Sequence, residues 1–199
     1  MRGTEARWRT MPTMLSRLSA RLAEVEAGMD EARAKPMHRN VRRVQGALEA
    51  AGSRARVLEV ESSTRTAEEA ARSIGVDVGQ IVKSLVLVAD GDPVLLLVAG
   101  DRRVDPDRAR RALGVNALGR ADADAVREAT GFPIGGVAPV GHPRPVRTIL
   151  DKSLGRFSVI WAAAGTPNAV FPTSLRELAA LTGGVIADVG EVQRPPTTQ

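Results

Sequence analysis

The chain has no cysteine among its 199 residues, which excludes disulfides, thiol catalysis and thiolate-bound metal. It has no tyrosine, three phenylalanines and two tryptophans, too few for repeated aromatic platforms that stack single-stranded nucleic acid. Its only histidines, His38 and His142, lie far apart, which argues against a histidine metal site. No Gly-x-Ser-x-Gly elbow and no Walker-type lysine loop is present. A Ser84–His142–Asp151 triad can be written down, but no local spacing supports it. No apolar stretch reaches the length of a membrane span, and no apolar core with a cleavage site follows the N-terminus. With the lack of cysteine, this leads to a cytoplasmic expectation, with no membrane partner.

Lysine is scarce too. Of 28 basic residues only Lys35, Lys83 and Lys152 are lysine, which leaves 25 arginines. The formal charge of +5 suits a polyanionic partner, although an arginine-rich habit of composition explains it equally well. At 43% hydrophobic residues the chain has enough apolar material for a sizeable core.

Residues 1–37 read as a helical extension. Leu15, Leu18, Leu22, Val25 and Met29 recur at helical steps between Pro12 and Pro36. Such a helix packs on the domain or on a second subunit, unless the chain starts at Met14 or Met37. Residues 38–190 form the expected domain. Val41, Val44 and Leu48 mark a helix ended by Gly52, and residues 56–60 a strand. Thr66 opens a capping-box helix that runs to Gly75. Residues 81–88 and 94–98 pair as a hairpin about Asp90-Gly91, both nearly all apolar and therefore covered on both faces. Asp105 and Asp122 open helices that end at Leu113 and Gly131. Further strands are expected at 146–150, 157–162, 169–171 and 185–187, with a helix capped by Thr173 before the last. Residues 191–199 read as a disordered tail. Hairpins and helices interleave without a period, which indicates a mixed α/β (α+β) sheet.

Lys83 stands inside the apolar run Ile81-Val82-Lys83-Ser84-Leu85-Val86. A buried ammonium is costly unless it is paired, so Lys83 either escapes to water or faces a pocket. The string from Gly131 to His142 contains Gly135-Gly136, whose backbone is either a plain loop or a cradle for an oxyanion, phosphate or ribose. Ala164-Gly165-Thr166-Pro167-Asn168 follows an apolar strand and leaves room beside two hydrogen-bonding side chains. Asp151 is a turn carboxylate or a pocket residue. His142 is structural or an outer wall of the glycine loop. A lysine and a glycine loop without a strong nucleophile or metal suit a substrate that is already activated, such as an aminoacyl ester.

The lysine strand, then Thr130-Gly131-Phe132-Pro133-Ile134-Gly135-Gly136-Val137-Ala138-Pro139, then Ile149-Leu150-Asp151, then Ala164-Gly165-Thr166-Pro167-Asn168 occur in a known order. Over about residues 38–190 the chain resembles the YbaK/EbsC family of aminoacyl-tRNA deacylases, which are similar to the editing domain inserted in bacterial prolyl-tRNA synthetases. The resemblance implies a mixed β-sheet curled toward a barrel, with helices outside. It implies a trans-editing hydrolase that removes Cys, Ala or another small amino acid from mischarged tRNA, often that for proline. The family's lysine falls on Lys83 and its glycine loop on Gly131, Gly135 and Gly136. Lys83 would anchor the carbonyl or the terminal adenosine, and the Gly135–Gly136 backbone would stabilise the oxyanion. Ser84, Gly131, Phe132, Asp151, Gly165, Thr166 and Asn168 would shape the substrate pocket, and Ala162, Ala163 and Ala164 with Gly165 would line a small sieve. No metal or organic cofactor is implied. The implied partner is mischarged tRNA, with prolyl-tRNA synthetase as a further candidate, and the protein is a monomer or homodimer. Two competing readings are a non-catalytic module that binds tRNA or a synthetase, and a serine hydrolase acting through Ser84.

Overall fold

In the computed structural model the described residues are 37–60 and 66–192. The expected helix at 15–29 lies outside them, as do 193–199 of the expected tail. Ten strands and five α-helices are described. The strands are β1 (Leu58–Glu59), β2 (Ile81–Ala89), β3 (Asp92–Ala99), β4 (Arg102–Val104), β5 (Leu118–Arg120), β6 (Arg147–Asp151), β7 (Ile160–Ala163), β8 (Ala169–Thr173), β9 (Val185–Ala187) and β10 (Gly190–Val192). The helices are α1 (Arg39–Ala50), α2 (Ala67–Ile74), α3 (Pro106–Leu113), α4 (Ala123–Thr130) and α5 (Leu175–Thr182). Glu191 and Val192, expected in the tail, belong to β10, which pairs with β4.

The large sheet runs β1-β8-β7-β2-β3-β6-β9, with β5 also paired to β2. It is mixed, because β2–β7, β3–β6 and β6–β9 are parallel and the other pairs antiparallel. It is not closed into a barrel: β1 and β9 stand at its two ends. The curl implied by the resemblance therefore stops short of closure.

Strand alternation assigns the two faces. Val82, Val86, Leu95 and Leu97 pack with Val41, Val44 and Leu48 of α1, Val126 of α4 and Leu178 of α5. Leu96, Val98 and Ile149 pack on the other side with Ala109 and Leu113 of α3. Ile81 packs with Ala70 and Ala71 of α2, forming a third, smaller cluster. β3 is buried on both faces from Val94 onward, as expected, whereas β2 is only half-buried at Lys83, Ser84 and Leu85.

Helix ends follow the sequence. Thr66 and Glu69 make a reciprocal capping box, Asp105 and Asp122 cap α3 and α4, and Gly75, Gly114, Gly131 and Gly183 end helices at positive φ. Thr173 is not the cap of α5. It ends β8, and Ser174 accepts from the Glu177 amide instead. The strand expected at 157–162 begins later, at Ile160, because Lys152–Arg156 forms a 3-10 turn capped by Asp151.

The Asp151 carboxylate is fully buried. One oxygen accepts from the Ser153 amide at 2.9 Å, and the other from the Val189 and Gly190 amides at 2.9 and 2.5 Å. It fastens the end of β6 to the chain between β9 and β10. Asp151→Ala strands three backbone donors, and one buried unsatisfied group alone costs about 1–3 kcal/mol. Chemical denaturation should show a loss of at least about 2 kcal/mol; an unchanged midpoint would contradict this role.

Candidate active site

The site begins with an interruption in the sheet. On the edge of β2 away from β3, β7 pairs only with Ile81 and Val82, and β5 only with residues 87–89. Residues 83–86 therefore have no strand partner on that edge. The two-residue Asp90-Gly91 turn makes Ala89 and Asp92 a hydrogen-bonded pair, so alternate residues of β2 turn their amides and carbonyls away from β3. The Asp90 amide confirms this phase by bonding the Ala117 carbonyl on the β5 side. Ser84 and Val86 share that phase, and their backbone groups point into the gap.

Two cavities meet there. The first, of about 410 Å³, is lined by residues including Glu68, Lys83, Ser84, Gly135, Trp161 and Thr166. The second, of about 600 Å³, is lined by residues including Lys83, Ser84, Gly135, Arg103, Arg120 and Leu118. Lys83, Ser84, Leu85, Ile134, Gly135 and Val137 are common to both and form the shared wall.

Lys83 is flanked on its face of β2 by Ile81, packed under α2, and by Leu85 and Leu87, packed toward α3. It occupies the seam between two small cores. Its ammonium donates to the Arg102 carbonyl. An ammonium has three donors, so two remain for a ligand. Burial lowers its pKa from the usual lysine value, while the charges of Glu68 and Asp101 pull it back up. Ser84 leaves β2 on the opposite face, and its buried Oγ has no hydrogen-bond partner among the described residues. A buried hydroxyl without a partner is costly and suits one that a ligand completes.

The glycine loop approaches from the Ser84 side. Arg43 of α1 fixes its start, with its guanidinium 4.0 Å over the Phe132 ring and bonds to the Thr130 and Gly131 carbonyls at 3.3 and 3.0 Å. Gly131 ends α4 at φ 70°, and Phe132 is fully buried in the main core. Neither lines a cavity; they hold the loop in place. Gly135 lines both cavities. Gly136 does not, and its amide is spent on the Pro133 carbonyl at 3.0 Å. A Cβ on Gly136 would lie 3.0 Å from Thr166 Cα, so this glycine is needed for close packing against the opposite turn.

That turn is clamped from α1 as well. Asn40, buried, donates to the Gly165 carbonyl at 3.1 Å, and a Cβ on Gly165 would stand 2.9 Å from Asn40 Cβ. Thr166 lines the first cavity, and its hydroxyl is 3.0 Å from Asn168 Oδ1, to which it donates. Asn168 and Gly165 are thus supports beside the cavity. Asp151 lies away from it, with its carboxylate fully occupied. Of the expected sieve residues only Ala163 lines the cavity, because Ala162 and Ala164 are buried in the core. Ala67, Ala70 and Ala169 supply the other small walls. Asn40, Arg43 and Glu68 escaped the sequence reading. The i, i+3 spacing of Asn40 and Arg43 beside the Val41–Val44 stripe was the available signal for two of them.

The paper triad does not form. The His142 Nε2 bonds the Ala138 carbonyl at 2.7 Å, and the ring stands edge-on to Phe132 at 6.0 Å. No group of three His, Asp or Glu among the described residues could hold a metal ion, and no described helix is long and apolar enough to cross a membrane.

A family model for the aminoacyl-tRNA editing domain matches residues 61–181. The chain belongs to that family. It is 39% identical over 123 residues to YwhH, an uncharacterized protein of Bacillus subtilis, covering 61% of this chain and 78% of that one. It is 40% identical over 90 residues to a proline–tRNA ligase of Citrifermentans bemidjiense, covering 45% of this chain but 16% of the ligase. A solved structure of a candidate trans-editing enzyme for prolyl-tRNA synthetase superposes with a TM-score of 0.74 at 49% identity, covering 78% of this chain and 99% of that one.

The His142 environment gives a pH prediction. Burial lowers its pKa, with Arg43 acting in the same direction and the Ala138 bond opposing. The unfolded chain therefore takes up this proton first, and stability falls as pH drops below about 6.5 toward the folded value. Thermal melts from pH 7.5 to 5.5 should show a larger loss for wild type than for His142→Gln, whereas equal losses would remove the histidine from the loop's stability.

Proposed function

We propose that the protein hydrolyses the ester of mischarged aminoacyl-tRNA in trans, with a small amino acid such as Ala or Cys on tRNA for proline as the substrate class. The observation that carries the reading is Lys83 beside an unpaired strand edge, at the wall between two cavities, in a chain of the editing family. The first cavity, walled by Ala67, Ala70, Ala163 and Ala169, holds the acyl group. The second, with Arg103 and Arg120 among its lining, takes the RNA end.

Water adds to the ester carbonyl, the bond to the ribose oxygen breaks, and that oxygen takes the proton. The products are free amino acid and uncharged tRNA. The ester is already activated, so the protein has to orient it and stabilise the oxyanion. Lys83 donates to the developing oxyanion with the N–H groups not used by Arg102. The Ser84 amide, whose phase turns it into the gap, and Gly135 take the place of the expected Gly136 amide, which the Pro133 carbonyl already holds. The Ser84 hydroxyl completes its missing hydrogen bond on the substrate. Editing of this kind is needed because a synthetase pocket rejects one missing methylene by only about 1–3 kcal/mol.

Purified protein should deacylate Ala- or Cys-charged tRNA for proline. Lys83→Ala should lower the rate roughly 100-fold or more, as loss of an oxyanion donor does. Ser84→Ala should lower it only several-fold. Full activity of Lys83→Ala would overturn the mechanism, loss of all activity in Ser84→Ala would point to a serine nucleophile, and tRNA binding without turnover would favour a non-catalytic module.

A further inference from the structure

Glu68 has no part in the reaction as described, yet it is the one carboxylate, among the described residues, that lines either cavity. It stands in the first turn of α2, and the helix does not need it as a cap, because Thr66 and Glu69 make the capping box between them. Among the described residues it has no ion pair and no hydrogen-bond partner, and it is exposed. Asp101, the other acid whose charge reaches Lys83, is not free: Arg156 holds both its oxygens at 2.8 and 3.0 Å. The first cavity therefore presents a lysine ammonium and one carboxylate, without a partner among the described residues, within electrostatic reach of each other. The rest of the lining is mostly apolar, including Ala70, Ile81, Trp161 and Val170.

That pairing has a chemical complement. In an aminoacyl ester the carbonyl oxygen and the α-ammonium flank the same two carbons, so a site that seats both needs a cation beside an anion. With Lys83 on the carbonyl, an ammonium placed next to it is repelled unless a carboxylate stands close by. We infer that Glu68 recognises the α-ammonium of the acyl group, so that the first cavity selects esters with a free α-amine over hydroxyacyl or N-acylated esters. This rests on the assignment of the first cavity to the acyl group. Glu68 is a recognition residue here, and the bond broken is the same.

The test separates amine recognition from hydrolysis by using amide-linked analogues that are not turned over. Binding of 3′-alanylamido-3′-deoxyadenosine and of its lactylamido counterpart, in which a hydroxyl replaces the amine, is measured on wild type, Glu68→Gln and Glu68→Asp. Wild type should favour the alanyl analogue by roughly tenfold or more, as a charge-assisted contact of this kind allows. Glu68→Gln should bring the two within about threefold by weakening only the alanyl analogue. Glu68→Asp should restore part of the preference. Unchanged thermal melts show that each variant is folded, as expected for an exposed side chain. Equal binding of the analogues by wild type, or an unchanged preference in Glu68→Gln, overturns the inference. A preference that depends on Glu68 in a protein that deacylates no tRNA would uphold amine recognition and remove the hydrolase reading instead. Were Glu68 acting only through its field on Lys83, Glu68→Gln would weaken both analogues alike, which also counts against it.

Discussion

A stretch of β2 with one edge left unpaired is what the rest of the site depends on. A central strand normally has both edges satisfied, and an open one exposes costly backbone donors and acceptors. Here β7 leaves β2 after Val82 and β5 joins it only at Leu87. The four residues between are Lys83, Ser84, Leu85 and Val86. Strand alternation would separate Lys83 and Ser84 onto opposite faces of a complete sheet. At the gap both border the same space, and the glycine loop reaches it from the side opposite Lys83.

The surrounding structure holds that gap open. Helix α1 does so from one face: Asn40 fixes the 164–168 turn and Arg43 the start of the glycine loop. Gly136 and Gly165 make the close packing possible, since a Cβ at either would meet neighbouring chain at about 3 Å. On the other face, Lys83 lies between the cluster under α2 and the one under α3. Its neighbours leave it half-buried, with a depressed pKa, yet within reach of Glu68 and Asp101. These are the conditions under which one ammonium can be both desolvated and useful.

Much of this was legible in the sequence. A lysine in an apolar strand marked β2, the Asp90-Gly91 pair marked its hairpin, and the capping residues placed the helices to within a residue or two. The glycine loop and the 164–168 turn stood out in the sequence and each contributes residues to the first cavity, but the division of labour inside them did not. Gly131, Phe132, Gly165 and Asn168 support the site, and Gly136 spends its amide locally. None of that is visible without knowing which groups are already bonded. Asp151 illustrates the same limit: its position after a strand suited either role, and only the amides of Val189 and Gly190, nearly forty residues away, decide between them. Short strands such as β4, β5 and β10 carry too few residues for a periodic signal. The gap itself is a property of pairing between distant segments, so no local pattern could report it.

The central claim is that the acyl group sits at this gap, with its carbonyl on Lys83. A crystal structure with bound 3′-alanylamido-3′-deoxyadenosine tests it most directly. The account predicts the amide carbonyl within hydrogen-bonding distance of Lys83 Nζ, between residues 83–86 and the loop at 134–137, with the alanyl methyl toward the alanine-lined cavity. A ligand seated elsewhere, or an acyl carbonyl out of reach of Lys83, would contradict it.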